Sequence, residues 1–408
     1  MIWIVGPVFK DYTAYLADHQ IEYGVFTDRG RSSTIPTGIP TIPLDFSSPE
    51  ALITSYEAAK PDQVSGLLVA GYENYVLPAA ILADHLGLPG PQIDAARAAT
   101  NKYDMRQRFQ AYDPTITPQF TEVETWEEAE AFATRYGYPV MLKPTNLMKS
   151  LLITKNTTAG ELRRNFEQTQ HLLPDLYRKY NIHETPRIII EEFMQGSMHT
   201  VAGFVDAQGM AFLVEHIADC TTAQERGVND SYLYSRQLPT KLSVEQQKAV
   251  LQVAAKGVAA LNLTSSALHI EIMYTTTGPK IIEIGARIGG YRPRMYAASY
   301  GLDLLAQQLA IATAQTPRLD GPFKGYCAVF ELFADRSGTF AAITTKDQKT
   351  TELSVFSYAS IKVKPGDKTG PARDGYKAAA VIIVASPDEP TFRHQCSVVD
   401  NLVIQLAN

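Results

Sequence analysis

Apolar and polar residues follow two rhythms along the first part of the chain. Short apolar runs at residues 2–6, 22–27 and 66–70 alternate with amphipathic stretches at residues 9–19, 49–59 and 76–86. Strands that alternate with helices in this way favour a parallel sheet with crossover helices. The pattern therefore predicts an open parallel α/β domain over residues 1–95.

The rest of the chain divides further by pattern. Residues 94–112 predict one helix with Asp94 as its N-cap, and residues 219–238 have few apolar positions and predict a surface loop. Residues 326–408 combine strand-like runs with one helical run, which predicts a small α+β domain. The fold class is thus α/β and α+β multidomain, with predicted units at residues 1–95, 96–192, 193–318 and 319–408.

Residues 267–290 predict a β-hairpin, because two β-branched apolar runs flank a Thr/Gly/Pro turn. With Thr277 at the centre of the turn, Glu271 lies directly opposite Glu283. Residues opposite each other on antiparallel strands share a face, so two carboxylates would lie side by side. The same register pairs Tyr274 with Lys280 and Met273 with Ile281.

Such an acid pair is destabilising unless something offsets the repulsion. Mg²⁺ is commonly held by one or two carboxylates together with substrate phosphates. Arg287 follows Glu283 closely, and a guanidinium binds phosphate or carboxylate oxygens well. The hairpin thus indicates a Mg–nucleotide site, while two exposed acids in another register stay open as an alternative.

A loop acid and two arginines add candidates for a substrate site. Glu73 follows the third main strand of the N-terminal domain, at the sheet edge where open α/β folds bind ligands. It could meet a substrate amine, or it is a loop acid without a partner. Arg292 and Arg294 follow a Gly-Gly turn. We expect Arg294 to clamp a substrate carboxylate, with two surface arginines as the alternative.

Composition excludes several classes of protein. The chain has 408 residues, 45% of them hydrophobic and 20% charged, and a net charge of −6. No basic run stands out, which argues against a nucleic-acid partner. Three widely spaced cysteines fit a reducing compartment. Without a signal-peptide pattern at Met1 or an apolar run of about 18 residues, we expect a cytoplasmic protein with no membrane segment.

The chain also has Asn-Lys-Tyr-Asp-Met-Arg around Lys102, Met-Leu-Lys-Pro around Lys143 and Glu-Glu-Phe-Met at residues 191–194. Taken in order with the hairpin, these motifs resemble the ATP-grasp superfamily of ATP-dependent carboxylate–amine ligases. The resemblance covers nearly the whole chain. The arrangement of the motifs is similar to that in amino-acid ligases and biotin carboxylases. It implies a two-lobed ATP-grasp fold after the N-terminal domain, ATP and Mg²⁺ as cofactors with Mn²⁺ as an alternative metal, and small carboxylate and amine substrates. A homodimer would be ordinary for the superfamily.

The resemblance also assigns residues to the nucleotide. Lys102, in Asn-Lys-Tyr-Asp-Met-Arg, matches the helix lysine that meets an ATP phosphate. Lys143, in Met-Leu-Lys-Pro, matches the strand lysine at the α-phosphate and adenine, and is one of two expected catalytic residues. The acidic hinge would bond the adenine edge through its backbone; its residues are Glu191, Glu192, Phe193 and Met194.

Metal and substrate roles follow from the hairpin. Glu271 and Glu283 match the metal-ligand acids. Arg287 matches the catalytic arginine that contacts the transferred phosphate or acyl phosphate. Gly289 and Gly290 would let the backbone approach the substrate.

The sequence departs from the family pattern at three places. The glycine-rich phosphate lid is absent after Pro144, so Lys149 and Ser150 would contact phosphates instead. The acid that bonds the ribose is missing, and His199 stands near its place. Gly285 replaces the asparagine that usually completes a second metal site.

The implied activity is ADP-forming amide-bond synthesis through an acyl phosphate on a small acid such as an amino acid. Glu73 and the segment 219–238 are candidates for the general base. Two alternatives stay open: another ATP-grasp class that carboxylates or phosphorylates, and a nucleotide-binding protein without catalysis.

Overall fold

The computed structural model describes residues 1–29, 35–147, 151–180, 182, 184–228, 230, 232–347 and 353–407. A parallel four-stranded sheet in the order β3-β2-β1-β4 forms the N-terminal unit. All four residues of β1 are buried, as expected for a strand covered on both faces. The elements are β1 (Ile2–Val5), α1 (Lys10–Asp18), β2 (Tyr23–Asp28), β3 (Thr41–Leu44), α2 (Pro49–Ala59), β4 (Gly66–Leu68) and α3 (Val76–Leu86).

Two helices, α4 (Ile93–Thr100) and α5 (Lys102–Tyr112), follow where the pattern predicts one. The prediction of a single helix is wrong because Asn101 adopts an extended conformation between them. Its side chain accepts hydrogen bonds from the backbone N–H groups of Tyr103 and Asp104, at 3.0 and 3.3 Å. This N-cap starts α5 afresh and places Lys102 in its first turn.

An antiparallel four-stranded sheet, in the order β5-β8-β6-β7, forms a small lobe. Two helices cover it, and the first begins with a capping box between Thr125 and Glu128. The chain leaves the lobe at the end of β8, where the predicted hinge lies. The elements are β5 (Phe120–Val123), α6 (Trp126–Tyr136), β6 (Val140–Pro144), β7 (Thr154–Asn156), α7 (Ala159–Tyr180) and β8 (Ile188–Glu192).

A large lobe follows, built on a long antiparallel sheet. Residues 219–238, predicted as a loop, supply strands to it, because polar side chains occupy positions whose backbone still pairs in the ladder. The elements are β9 (Gly196–Val205), β10 (Ala211–Leu213), β11 (Ala218–Thr222), β12 (Leu233–Leu238), α8 (Val244–Leu261), β13 (Ser266–Thr275), β14 (Gly278–Gly285), α9 (Arg292–Tyr300) and α10 (Leu304–Ala312).

The C-terminal residues continue this sheet instead of forming one apart. The order is β14-β13-β9-β11-β12-β15-β19-β17, so strands from both sides of the predicted boundary at residue 318 pair with one another. A further three-stranded sheet has the order β18-β16-β20. The elements are β15 (Tyr326–Leu332), β16 (Gly338–Thr345), β17 (Tyr358–Ile361), β18 (Lys368–Thr369), β19 (Ala380–Ser386), α11 (Glu389–Asp400) and β20 (Leu402–Leu406).

The buried clusters show which units are joined. Two clusters combine residues of the N-terminal unit with residues of the large lobe, for example Phe26 with Ile270 and Ile4 with Met295. The small lobe has a cluster of its own, centred on residues such as Phe166 and Ile190. The N-terminal unit and the large lobe therefore share a core, whereas the small lobe packs around a separate one.

The predicted fold class, a parallel α/β unit followed by two lobes and a C-terminal α+β part, is confirmed. Among the residues with described structure, no helix is long and apolar enough to cross a bilayer.

Candidate active site

The acid pair lies where the hairpin predicts it. Glu271 on β13 is directly opposite Glu283 on β14, so the two carboxylates share one sheet face. Thr200 of β9 is opposite Glu271 from the other side. We call this surface, defined by Thr200, Glu271 and Glu283, the site face.

A β-bulge sets this register. Ile272 pairs with Ile281, and the next pair is Glu271 with Glu283, so Ile282 is an extra residue. The predicted pairs of Met273 with Ile281 and Tyr274 with Lys280 are therefore wrong by one position. In a regular strand Ile281 and Glu283 would share a face. The bulge instead buries Ile281 completely while Glu283 stays on the site face.

Arg106 of α5 holds the bulge. Its guanidinium donates to the carbonyl oxygens of Ile281 and Ile282, at 3.1 and 2.8 Å. The same group donates to both carboxylate oxygens of Glu191 at the end of β8, at 2.8 and 3.3 Å. Sequence reasoning gave Arg106 no role. Its position four residues after Lys102 on one helix face was the available signal.

Glu191 also accepts from Lys143, with 2.6 Å between Nζ and Oε2. Burial alone would raise the pKa of Glu191, but the charges of Arg106 and Lys143 outweigh it and lower the pKa to about 2. Burial lowers the pKa of Lys143, which Glu191 only partly opposes. The predicted strand lysine and the hinge acid thus form one buried ion-paired group.

Lys102 lies between the lobes. Its Nζ donates to the carbonyl of Leu147 at 3.0 Å and lies 3.4 Å from Glu283 Oε2. The Asn101 cap fixes the helix turn from which this side chain extends. A positive charge is therefore held beside the acid pair, on the side of the small lobe.

Some backbone N–H groups of the hinge already donate hydrogen bonds within the protein. The N–H groups of Glu192 and Phe193 donate to the carbonyls of Gln119 and Pro139, at 2.9 and 3.3 Å. The N–H of Met194 makes no backbone hydrogen bond within the described ranges. Of the hinge N–H groups from Glu192 to Met194, Met194 alone is then left to donate to an adenine edge.

Glu73, from the N-terminal unit, reaches the same place. Its Oε2 accepts from Arg287 Nε at 2.6 Å, and its Oε1 has no partner among the described residues although it is buried. Burial raises the pKa of Glu73, and Glu283 adds to this rise, while Arg287 lowers it without reversing the direction. The structure therefore brings Glu73, Arg287 and the acid pair together.

Gly285 is complementary to Glu73. A Cβ at Gly285 would lie 3.1 Å from Glu73 Oε2 and 3.2 Å from Oε1, tighter than ordinary contact. The carboxylate of Glu73 thus takes the space beside Gly285 in which a larger side chain would begin. This is a physical reason for glycine where the family pattern has asparagine.

His269 was not singled out by its sequence. It lies two residues before Glu271, so strand alternation places both on the site face. Its Nε2 is 3.4 Å from Glu271 Oε1, and burial lowers the pKa of His269 to about 4. Burial would raise the pKa of Glu271, but the His269 contact and the charges of Arg287 and Arg292 lower it to about 2.

The Gly-Gly turn has a structural use at its first position. A Cβ at Gly289 would lie 2.6 Å from His269 Nδ1, so glycine there accommodates the imidazole ring. Gly290 is exposed, and no atom lies within 4 Å of its hypothetical Cβ. Close approach of a substrate to Gly290 therefore stays a prediction, while Gly289 is explained by His269.

The two arginines after this turn differ. Arg294 is half-exposed and is held bidentately by Asp11, with both N–O distances at 2.6 Å. Its guanidinium also lies 4.3 Å from the centre of the Tyr358 ring. Because Arg294 is already occupied, the structure does not favour it as the carboxylate clamp. Arg292 is buried, and its Nη2 donates to Thr200 Oγ1 at 2.8 Å.

His199 does not reach the site face. It pairs with Ile272, whose side chain lies on the opposite face of the sheet from Glu271. Its ring contacts Ser197 Oγ at 2.7 Å and Asp219 Oδ1 at 2.9 Å. This strand parity does not favour His199 as a ribose ligand, and that role stays a prediction. The predicted phosphate contacts Lys149 and Ser150 lie outside the described residues.

The acid pair fits a metal that arrives with a nucleotide. Among described residues, no group of three or more His, Cys, Asp or Glu side chains is arranged to hold a metal by itself. Two carboxylates side by side on Glu271 and Glu283 match the one or two protein ligands that Mg²⁺ takes when phosphates supply others. Gly285 adds no ligand atom to this set.

The chain is similar to known proteins in sequence and in fold. Residues 136–293 match the family model of the ATP-grasp domain. The chain is 25% identical over 329 residues to the uncharacterized protein y4rH of Sinorhizobium fredii, covering 79% of this chain and 64% of that protein. It is 25% identical over 286 residues to alanine–anticapsin ligase of Bacillus subtilis, covering 64% and 59%. The chain thus spans less than two thirds of the length of each of these relatives.

Among solved structures, the L-amino acid ligase from Bacillus licheniformis superposes with a TM-score of 0.80 at 18% identity, covering 100% of this chain and 99% of that one. At that identity the likeness shows the fold. The matched family segment contains Lys143, the hinge and the whole hairpin. Residues 136–293 thus match the domain of the superfamily that the motifs resemble, and the fold of the whole chain is similar to that of an L-amino acid ligase.

Proposed function

We propose that the chain is an ATP-dependent, ADP-forming carboxylate–amine ligase that acts on a small acid such as an amino acid. The observation that carries the proposal is the pair Glu271 and Glu283, opposite each other on one face and flanked by Lys102 and Arg287. Acids that repel each other are retained in this way where a cation and phosphates neutralise them.

Nucleotide binding would use the cleft between the lobes. Met194 N–H would donate to the adenine edge, and Lys143 and Lys102 would supply positive charge toward the phosphates. Glu271 and Glu283 would hold Mg²⁺, which when bound supplies positive charge to the phosphate oxygens. Lys149 and Ser150 remain predicted phosphate contacts.

The first chemical step forms an acyl phosphate. A carboxylate oxygen of the acid bonds to the γ-phosphorus while the bond from that phosphorus to the β–γ bridging oxygen breaks, and ADP leaves. Arg287 would bind oxygens of the transferred group, because a guanidinium forms paired hydrogen bonds with such oxygens. Glu73 holds Arg287 in place through the 2.6 Å contact.

The second step forms the amide. The amine nitrogen bonds to the acyl carbon, the carbon–oxygen bond to phosphate breaks, and inorganic phosphate leaves. One proton of the amine must be taken up. The free Oε1 of Glu73 is a suitable acceptor, since its raised pKa brings it closer to that of an amine than an ordinary carboxylate.

Glu283→Gln tests the proposal, since it keeps shape and removes one charge of the acid pair. We expect ADP release in the presence of acid, amine, ATP and Mg²⁺ to fall at least about 100-fold. The fold is retained, because Glu283 is partly exposed. Glu167→Gln, in an exposed pair on α7, is the matched control and should behave as wild type. Undiminished turnover in Glu283→Gln would remove this residue from the site.

A nucleotide-binding protein without catalysis is the second candidate. The observation in its favour is Gly285, which supplies no amide at the acid pair. Tight Mg–ATP binding without ADP release across a panel of acids and amines would select this reading. An amide product identified by mass spectrometry would exclude it.

A further inference from the structure

Arg292 is a buried cation without an anionic partner. It is 3% exposed, and no Asp or Glu oxygen lies within 4.0 Å of it among the residues whose placement is described. Its Nη2 donates to Thr200 Oγ1 at 2.8 Å, and Nη1 lies 3.4 Å from Met295 Sδ. Its Nε is buried and makes no hydrogen bond to any residue that the structure describes.

This arrangement is unfavourable for the protein alone. A buried charge without a counter-ion destabilises the folded protein, and a buried donor without an acceptor destabilises it further. Neighbouring Arg236 does not relieve it, because it is paired with Glu331 and its own charge opposes that of Arg292. Groups left unsatisfied inside an otherwise consistent structure are most often functional.

The position of Arg292 points to the substrate. It follows the Gly289–Gly290 turn, and its partner Thr200 is directly opposite Glu271 on the site face. The charges of Arg287 and Arg292 both lower the pKa of Glu271 and the pKa of His269. The reacting end of the site therefore lies near two guanidinium groups, of which Glu73 neutralises one.

We propose that Arg292, oriented by Thr200, binds a substrate carboxylate other than the one that is activated. The inference rests on the proposed ligase activity and narrows its substrates. A second carboxylate comes either from the amine, which is then an amino acid, or from the acid, which is then a dicarboxylic acid. Both sources offer the same planar pair of oxygens to the guanidinium.

Two substrate series separate the sources. With one acid held constant, the amine is L-alanine or L-alaninamide; with one amine held constant, the acid is succinate or butanoate. ADP release and product mass give kcat/KM for each. We expect one series to favour the member with the extra carboxylate about 10- to 100-fold, the range of a charged hydrogen-bonded contact.

Arg292→Met should abolish that preference while Arg292→Lys keeps part of it. Thr200→Val, which removes only the orienting hydroxyl, should weaken it. Arg163→Met is the matched control, because Arg163 is exposed on α7, where it pairs with Glu167 and lies 5.7 Å from the centre of the Trp126 ring. Arg294→Gln tests the alternative clamp. A preference that disappears in Arg294→Gln and survives in the Arg292 variants would overturn the assignment.

A binding readout keeps the test independent of turnover. The carboxylate-bearing compound should raise the melting temperature of the wild-type protein with Mg–ATP, and should not raise that of Arg292→Met. If Arg292→Met does not fold, the test uses Arg292→Lys and Thr200→Val instead. An unchanged preference for the extra carboxylate in both variants contradicts the inference. Absence of ADP release with every pair refutes the ligase, whereas ligation without any carboxylate preference refutes only the role of Arg292.

Discussion

At the scale of single residues, the site is built from buried charges that need one another. Glu73 and Arg287, Glu191 and Lys143, and Glu191 and Arg106 are ion pairs between distant parts of the chain. Removing one member of such a pair leaves a buried charge behind and is strongly destabilising. The pair of Glu73 and Arg287 joins the N-terminal unit to the large lobe, whereas the pair of Glu191 and Lys143 lies within the small lobe.

The pKa of Glu191 predicts a pH dependence. Folding lowers this pKa from 4.5 to about 2, so its contribution to stability is complete above about pH 4.5 and is lost as pH falls toward 2. In Glu191→Gln this contribution is absent. We expect the difference in urea midpoint between wild type and variant to shrink as pH is lowered from about 6 to about 3. A constant difference would mean that Glu191 is not ionised in the fold.

The contact between Gly285 and Glu73 predicts a steric coupling. Gly285→Asn forces a side chain against the Glu73 carboxylate and should lower the free energy of unfolding by about 1–3 kcal/mol. In Glu73→Ala the space opens, so adding Gly285→Asn to that variant should cost much less. Urea denaturation of the two single variants and the double variant measures this coupling. Additive effects would show that the two residues do not meet.

At the scale of elements, the bulge in β14 is what makes the acid pair. The sequence predicted the hairpin and the Glu271–Glu283 pair, because both depend on apolar runs around a short turn. It did not predict the bulge, since Ile281 and Ile282 are both apolar and give no parity signal. Arg106 escaped notice for a similar reason: its three partner residues, Glu191, Ile281 and Ile282, come from β8 and β14, far away in the sequence.

Arg106→Met tests this coupling between helix, hinge and hairpin. It removes the donors to the bulge carbonyls and one counter-ion of Glu191. We expect the free energy of unfolding to fall by about 3–5 kcal/mol and the Mg²⁺ concentration needed for ATP binding to rise. Arg106→Lys keeps the charge without the planar guanidinium group. Its free energy of unfolding and its Mg²⁺ requirement should lie between those of the wild type and Arg106→Met.

Arg108→Met is the matched control on the same helix, since Arg108 contacts only Asp94 and the Leu261 carbonyl at a partly exposed position in the described structure. An unchanged Mg²⁺ requirement in Arg106→Met would show that the bulge holds its register without the guanidinium.

At the scale of the whole molecule, the periodicity of the sequence predicts the α/β units well, because alternating strands and helices bury complementary faces. It fails at residues 219–238, where strand identity depends on pairing partners and not on local composition, and it gives no sign that strands on the two sides of residue 318 pair with each other. The sequence alone likewise does not predict which face of the sheet His199 lies on, because that depends on the register of the strands. Long-range pairing is the information that a local pattern lacks.

The separate core of the small lobe predicts uneven stability. Residues 120–192 pack around their own cluster, and their contacts with the rest of the chain include the ion pair of Glu191 with Arg106 and the hydrogen bond from Lys102 to the Leu147 carbonyl. Their amide hydrogens should exchange faster than those of the large-lobe sheet, measured by mass spectrometry. A nucleotide that contacts both lobes should reduce the difference in exchange rate between them. Equal exchange in both lobes without nucleotide would contradict this prediction.

The fit of the Glu73 carboxylate against the bare backbone of Gly285 also has an evolutionary consequence. Two positions 212 residues apart in the numbering compete for one volume, so neither is free to vary alone. Relatives with asparagine at the second position should have a shorter side chain at the first, and the two exchanges should appear together in descent. Such relatives would lack the acid at the position of Glu73 in the N-terminal unit and would have an amide at the position of Gly285 on the hairpin. A different unit of the protein would then complete the cleft.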